Sequence, residues 1–506
     1  KYKEKYGYDD NYDKLHTGES VKLDAKDYDK ENTDADVQVE EWQGEESVIT
    51  GESGTISWKV NIPETGFYAV RFRYCAVSEG TTDIERVFSL NGAAPYSEGR
   101  YVKLTKSWTF NYLNDEREGA FEMDTAGNEL RPHSIIQLKW RNASIHDNDG
   151  YYLDELEYYM EKGENLISLT GVRETMAISE VEVYTVEELP SYADVKAEYD
   201  EKGYTAADAE PTYMEAEMPD LVSNYTLYPL YDRSSALTSP QSSSATLRNM
   251  IGAEKWTSSG QWIQYNFECT ASGLYDIVVR YNQSELKGLY TSRSLRINGE
   301  YPFKEAKALQ FAYDTDWRTT SMTDGTQTFS FYFEEGKTYT IEFEATLGSF
   351  ADAVRSVSGI IDSLNDDYMS ILELTGSDPD ENRDYGFIRI MPDVVRDIAI
   401  QCNTLYALVD YVSEMNGIKS ETTSTLEQAA NLLDKMASDE KEIAPNLANL
   451  KTWISSLGSW LSDTSTQYLA LDYVQIQPAG SDLPRGEAGG WTNFMFEIKK
   501  FVASFY

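Results

Sequence analysis

The chain is poor in the side chains that most enzymes and metal proteins use. Among 506 residues there are three cysteines and three histidines. Cys75, Cys269 and Cys402 lie far apart with no CxxC or Cys/His spacing, which excludes a zinc knuckle or a local redox pair. His16, His133 and His146 are equally scattered, and GxSxG and HExxH are absent, so the usual hydrolytic and transition-metal constellations have no raw material. No run approaches the roughly 18 uncharged apolar residues of a membrane-crossing helix. Cations are short too. Lys and Arg total 44 against 86 Asp and Glu, a net charge of −42 that repels phosphate backbones and anionic headgroups and excludes nucleic acid as a partner. What is plentiful is apolar and aromatic surface: 41% hydrophobic residues and 37 Tyr make this a folded acidic protein rather than a disordered one.

The chain repeats itself. GFYAVRFRY (66–74) returns as GLYDIVVRY (273–281), and the offset of 207 continues without a gap through Arg86/Arg293, Asn91-Gly92/Asn298-Gly299, Pro95/Pro302 and Glu98/Glu305. Two copies of one module follow. In each copy the apolar residues alternate with period two: Tyr68, Val70, Phe72 and Tyr74, then Tyr275, Ile277, Val279 and Tyr281. That is the mark of a strand with one buried face. Asn-Gly between extended runs predicts tight turns, and further strand–turn–strand pairs fall around Gly163 and Gly336. Many short strands with regular turns predict a mainly β chain built as two tandem jelly-roll β-sandwiches.

The copies differ in length. Glu98 to Gly163 spans 65 residues against 31 from Glu305 to Gly336, so the first module carries an extension holding Trp140, His146 and the acidic loop HDNDGYYLDE. The second carries a larger insertion with helical stripes: Val395, Ile398, Cys402, Leu405, Val409 and Val412, ending at Asn416-Gly417; Leu426, Ala429, Ala430 and Leu433; and Leu447, Leu450, Ile454, Leu457 and Leu461. With a fourth helix across Ile360 to Leu374 this predicts an α-helical bundle interrupting the second sandwich. The expected organisation is a flexible tether over 1–18, module one over 19–190, a linker over 191–210, module two over 211–350 and 466–480, the bundle over 351–465, and the start of a C-terminal region over 481–506. The amphipathic WTNFMFEIKKFVASFY carries no closing turn, and the natural chain is expected to continue past Tyr506.

YMEAEMPD at the start of module two and LALDYVQIQ at its end resemble carbohydrate-binding module families six and thirty-five. That resemblance implies a structural calcium ion held by Glu215, Glu217 and Asp472. Module one departs from the pattern, with Asp24, Lys26 and Ser179 at the matching positions, so a cation in the site should exclude calcium there. The order of the whole chain, with TDIERVFSLNGAAPYSEG, GNELRP, DGYYLDELEYYMEKGENLISL and LPRGEAGGWTNFMFEIKKFVASFY, resembles extracellular solute-binding lipoproteins of carbohydrate ABC transporters in Gram-positive bacteria. It implies a lipid-anchored cell-surface location, no membrane insertion of this chain itself, and a permease reached through a further C-terminal domain.

A sugar-binding site needs an aromatic face to stack on C–H patches, with polar side chains for the hydroxyls. Carried over from the related modules, the carbohydrate-binding candidates are Tyr74 and Trp108 in module one and Tyr281, Asn282, Trp317 and Arg318 in module two; the extension of module one adds Trp140, Arg141 and Tyr152. Tyr74 and Tyr281 also end core-side stripes, so a place in the core competes with a place at a ligand. The expected function is noncatalytic binding of an oligosaccharide or polysaccharide. A structural spacer or adhesin with degenerate modules is the alternative, and a glycoside hydrolase a distant third, since no length remains for a catalytic domain.

Overall fold

The computed structural model describes residues 2–8, 12–114, 119–242, 244–380, 383–416, 421–489, 491, 492, 495, 496, 498 and 499. Gly417 and most of the stretch from 490 to 506 therefore lie outside the described residues. The two sandwiches and the bundle are present as expected. No helix among the described residues is long and apolar enough to cross a membrane.

In module one, strand Gly66–Ala76 sits between Arg141–Ser144 and Met176–Tyr184 in a seven-stranded sheet that continues to Glu45–Thr50 and Val37–Trp42. Facing it are Thr55–Ile62, Gly163–Arg173, Ile84–Leu90 and Tyr101–Leu104. The alternating stripe predicted at Tyr68, Val70, Phe72 and Tyr74 is buried between these sheets with Trp58, Phe88 and Tyr158. In module two, Gly273–Gln283 pairs with the closing strand Leu469–Pro478, which returns after the helical insertion to complete the sheet. The Asn-Gly pairs form the tight turns they promised. Asn91 and Gly92 have φ of 52° and 82°, Asn298 and Gly299 have 53° and 85°, a left-handed pair that Asn and Gly accept at least cost.

The opposing sheet of module two is not made by module two alone. Its order runs from Leu309–Ala312 through Tyr290–Ile297, Thr338–Thr346, Trp262–Glu268 and Leu221–Val222 to Ser107–Phe110 and Ser134–Gln137, two strands lent by the extension of module one. Val222 pairs with Trp108. Trp108 and Phe110, two residues apart, therefore point into the core of module two beside Ile263, Tyr265 and Phe343. The extension is a structural graft across the module boundary.

Two connecting segments also differ from expectation. The stretch expected as a flexible tether packs on module one: Lys3 Nζ, Tyr8 Oη and His16 Nε2 all converge on buried Glu157 at 2.6, 2.8 and 2.7 Å, and Tyr6 stacks on Tyr159 at 4.0 Å. Tyrosines spaced through a polar run supply the apolar area that the run seemed to lack. The linker forms helix Tyr192–Glu201, started by a capping box between Ser191 and Asp194, and buries Tyr192 against Phe303 and Phe329.

The bundle consists of Ala351–Thr375, Pro392–Asn416, Glu421–Ser438 and Leu447–Ser465, with short Phe387–Ile390 between the first two. Their predicted stripes form one core together with Leu286, Leu289 and Tyr290 of module two. One acid is trapped at its edge. Asp367 is buried with Oδ2 lacking a hydrogen-bond partner among the described residues, and burial, with Asp397 and Asp366 nearby, pushes its carboxyl up to about 7.

Two expectations follow. Trp108→Ala should cost about 3–5 kcal/mol and raise amide exchange in strand Trp262–Glu268 as well as in module one; exchange confined to module one would refute the shared core. Because the folded pKa of Asp367 lies above its unfolded value of 3.8, the protonated form is favoured by folding, and this stability is lost as pH rises through about 7. Asp367→Asn should thus raise the melting temperature at pH 8, by the equivalent of roughly 1–2 kcal/mol after allowing for solvent screening, and leave it nearly unchanged near pH 4.

Candidate functional site

Between the modules lies a cleft of about 560 Å³. Its floor is the outward face of the shared sheet. There the register sets Trp262 opposite Glu344 and Gln264 opposite Glu342, and sets Glu344 and Glu342 opposite Ser294 and Arg296 on the next strand. Period-two alternation makes this rank possible, since Ile263, Phe343 and Leu295 point the other way into the core. The other wall comes from module one: strand Arg141–Ser144, the loop from Asp147 to Glu155, and the edge of Tyr74.

Arg141 joins the two walls. Its Nη2 donates to Glu342 Oε2 at 2.9 Å, and its guanidinium carbon lies 3.8 Å from the centre of the Trp262 ring. Arg296 meets Glu342 at 3.3 Å, pairs with Glu344, and donates to Tyr301 Oη at 2.7 Å. Burial works to raise the Glu342 pKa, yet Arg141 and Arg296 outweigh it and hold this carboxyl below the ordinary range. Glu342 is an anion at neutral pH, committed to two cations, and cannot serve as a proton donor.

Four expected sugar-binding residues come together here: Tyr74, Trp140, Arg141 and Tyr152 all line the cleft. Tyr74 is mostly core, its hydroxyl donating to Thr105 O at 2.7 Å, so only its edge is available. Trp140 is half-buried, with Nε1 donating to Trp42 O. Tyr152 is exposed over 41% of its surface, with Arg355 of the bundle stacked 4.5 Å from its ring centre.

The other five do not join it. Trp108 is core, as above. Tyr281 is 3% exposed and packs on Phe311, because the stripe it ends runs along the inner face of its strand. Trp317 is 4% exposed, with Nε1 on Asp232 Oδ2 and Ser234 Oγ. It is buried because the loop through Asp232 and Ser235 folds over the outer sheet face and Gly486 packs directly on the Trp317 and Arg318 backbone. Asn282 donates to Thr315 O and Arg318 pairs with Asp314 at 3.6 Å, both on the far side of the module from the cleft lining. The floor residues Trp262, Gln264, Arg296, Tyr301, Glu342 and Glu344 escaped the sequence reading. Their signal was alternation on module-two strands, which looks the same for a solvated face as for a binding face.

The calcium set is not assembled. Asp472 is fully buried, and its Oδ2 accepts from Arg280 Nη1 at 2.6 Å. Arg280 also donates to Thr238 Oγ1, Ser235 Oγ and Gly486 O, and stacks on Trp317 at 4.8 Å. Glu217 is buried while Glu215 lies toward the surface, its carboxylate accepting from Tyr213 Oη. Among the described residues no three His, Cys, Asp or Glu side chains are grouped to hold a metal ion. A guanidinium supplies the positive charge beside Asp472 Oδ2, while Asp472 Oδ1 is buried with no hydrogen-bond partner among the described residues. Burial pushes the Asp472 carboxyl up to about 6, against the pull of Arg280. In module one the matching arginine, Arg73, pairs with Glu45, which also accepts from Ser179 Oγ at 2.8 Å, while Lys26 pairs with Asp24 at 3.2 Å. Each module has an arginine at this place.

Residues 352–467 match the family model of the bacterial solute-binding protein 4-helix bundle domain. No curated protein matches the chain. Solved structures similar to parts of it include a family 35 carbohydrate-binding module from Clostridium thermocellum, at 18% identity over 33% of this chain and 98% of that one, with a TM-score of 0.18. The C-terminal family 6 module of LamC, a marine laminarinase from Zobellia galactanivorans, is 16% identical over 33% and 98%, with a TM-score of 0.20. A family 35 module of Abf62 from Cellvibrio japonicus is 14% identical over 32% and 91%, again at 0.20.

If Arg280 is the resident cation of module two, adding EGTA should leave the melting temperature unmoved. Arg280→Met should instead lower stability by about 3–5 kcal/mol, the cost of stranding a buried carboxylate. A melting temperature that drops on chelation would restore the metal.

Proposed function

We propose that this chain binds glycans without turning them over, in the cleft between its sandwiches, as the accessory part of a bacterial solute-binding protein. The observation that carries the reading is the cleft itself, in which the exposed ring of Tyr152 and the half-buried Trp140 stand among guanidinium, amide and carboxylate groups. Stacking faces with convergent hydrogen-bonding groups are what a pyranose requires. The family match over residues 352–467 supports a solute-binding context. Placement on the outer cell surface with a lipid anchor, and delivery to a permease through a further domain, belong to the same proposal.

A noncatalytic role is supported by the state of the carboxylates. Glycoside hydrolysis needs one acid kept protonated beside a second carboxylate. Glu342 and Glu344, the pair on the cleft floor, are both bound to Arg296, and Glu342 is held ionised. The spacer reading draws support from the shared sheet, which braces the two modules into one body, and from the burial of Trp317 and Tyr281.

Calorimetry on the intact chain with a panel of plant and host oligosaccharides separates these readings. At least one should bind, and Tyr152→Ala, at an exposed position, should weaken it by roughly 5- to 10-fold, about the worth of one stacking contact. Absence of heat with every glycan would favour the spacer, and release of reducing ends would revive the hydrolase.

A further inference from the structure

We infer that the cleft takes uncharged oligosaccharides and turns away those bearing uronates, an inference that rests on the glycan reading and narrows it to a substrate class. The ion pairs of the lining carry it. Six cations face the cavity: Arg71, Arg73, Lys103, Arg141, Arg296 and Lys307. Each already has a carboxylate. Arg71 lies 3.6 Å from Glu182 and Lys103 lies 3.1 Å from Asp83. Arg73 holds Glu45, Arg141 holds Glu342 at 2.9 Å, Arg296 shares Glu342 and Glu344, and Lys307 holds Asp154 at 2.8 Å.

A sugar carboxylate gains affinity where a desolvated cation waits without a partner. Here it would have to displace a resident carboxylate and leave that group partly buried and unpaired, which costs more than the exchange returns. The uncompensated lining groups have the wrong sign for such a ligand. Among the described residues Glu300 and Asp147 have no cation partner within ion-pair distance, and Asp147 instead accepts backbone N–H groups of Asp149, Tyr151 and Tyr152. The acidic excess of the whole chain adds long-range repulsion in the same direction.

The hydrogen-bonding capacity left over is neutral. Among the described residues neither the His146 ring nor the Gln264 amide has a side-chain hydrogen-bond partner, and both line the cleft. Burial pushes the His146 pKa below its ordinary value; Arg296 and Lys307 act the same way, while Glu155 and Glu344 oppose. A neutral imidazole presents one donor and one acceptor, and an amide presents both, the pattern that matches a sugar hydroxyl acting as acceptor and donor at once.

The test compares neutral hexasaccharides (cellohexaose, xylohexaose and mannohexaose) with hexagalacturonate by calorimetry on the full chain at low and high salt. At least one neutral hexasaccharide should bind, with a Kd that changes less than about twofold with salt, since no ligand charge is there to be screened. Hexagalacturonate should bind roughly tenfold or more weakly. Glu342→Gln strips Arg141 of its carboxylate and leaves Arg296 with Glu344 alone, so it should gain roughly tenfold for hexagalacturonate and lose affinity for the neutral sugar. Glu344→Gln, which leaves Arg296 with the Glu342 it shares with Arg141, makes the same test more mildly where the first variant does not fold. Hexagalacturonate binding tighter than every neutral hexasaccharide, or neutral affinity that collapses with salt, overturns the charge class and leaves the cleft a glycan site. Heat from none of the four overturns both.

Discussion

The pairing of Val222 with Trp108 is the constraint on which the rest of the molecule depends. Through it a hairpin that belongs by chain order to the first sandwich completes a sheet of the second, and Trp108 and Phe110 enter that second core. Tandem modules joined only by a linker would rotate freely and present no fixed surface between them. A shared sheet removes that freedom. The strand Arg141–Ser144, only a few residues beyond the lent hairpin, is therefore held opposite the floor residues Glu342 and Trp262, and a cleft exists where two convex sandwiches would otherwise present only a gap.

Electrostatics then decides what kind of cleft it is. A chain carrying twice as many acids as bases places six of its 44 cations around one cavity, and gives each of them a carboxylate. Partly desolvated pairs of this sort are neutral in net stability more often than strongly favourable. Their consequence is orientation: Arg141, held by Glu342, sits over the Trp262 ring, and Arg296 is drawn between Glu342, Glu344 and Tyr301. The same logic operates outside the cleft at Arg280, where a guanidinium bound to Asp472, two hydroxyls and a carbonyl closes the outer face of module two. Arginine does in both places what a point cation could do, but with fixed donor directions.

Much of this architecture is legible in the sequence, and the boundary of legibility is physical. A 207-residue offset from Gly66/Gly273 to Glu98/Glu305 reports two sandwiches because identical turns and alternations must recur in one register. Helical stripes such as Leu447, Leu450, Ile454 and Leu457 report the bundle, since their spacing suits only a helix, and all four are buried in its core. Alternation does not say which sheet a strand joins, so Trp108 reads as a sugar-binding candidate of module one until Val222 is seen beside it. It also does not say what covers a face, so Trp317 and Arg318 read as accessible although Gly486 lies on them. Of the expected sugar residues, those that reach the cleft from module one, Trp140, Arg141 and Tyr152, stand in the extension that sets the first copy apart from the second. A departure from the repeat was the informative signal, while residues carried over because they match, such as Tyr74 and Tyr281, are chiefly core.

The bundle is tied to the cleft by the loop that carries Tyr152. Asp147 shapes this loop by accepting the N–H groups of Tyr151 and Tyr152, and Gly150, at φ of 74°, passes so close to Ser259 that any Cβ there would collide with it. Tyr151 and Leu153 pack against the core that the bundle shares with module two. Arg355, on the first bundle helix, donates to Tyr151 O at 3.2 Å and stacks on Tyr152. The aromatic face available to a ligand is thus held from behind by a helix of the bundle and from the side by the second sandwich. Three bodies that the sequence presents as separate segments meet at one loop, so a movement of Tyr152 toward a ligand must also be a movement against Arg355. This mechanical continuity is the physical reason to treat the sandwiches and the bundle as one functional unit.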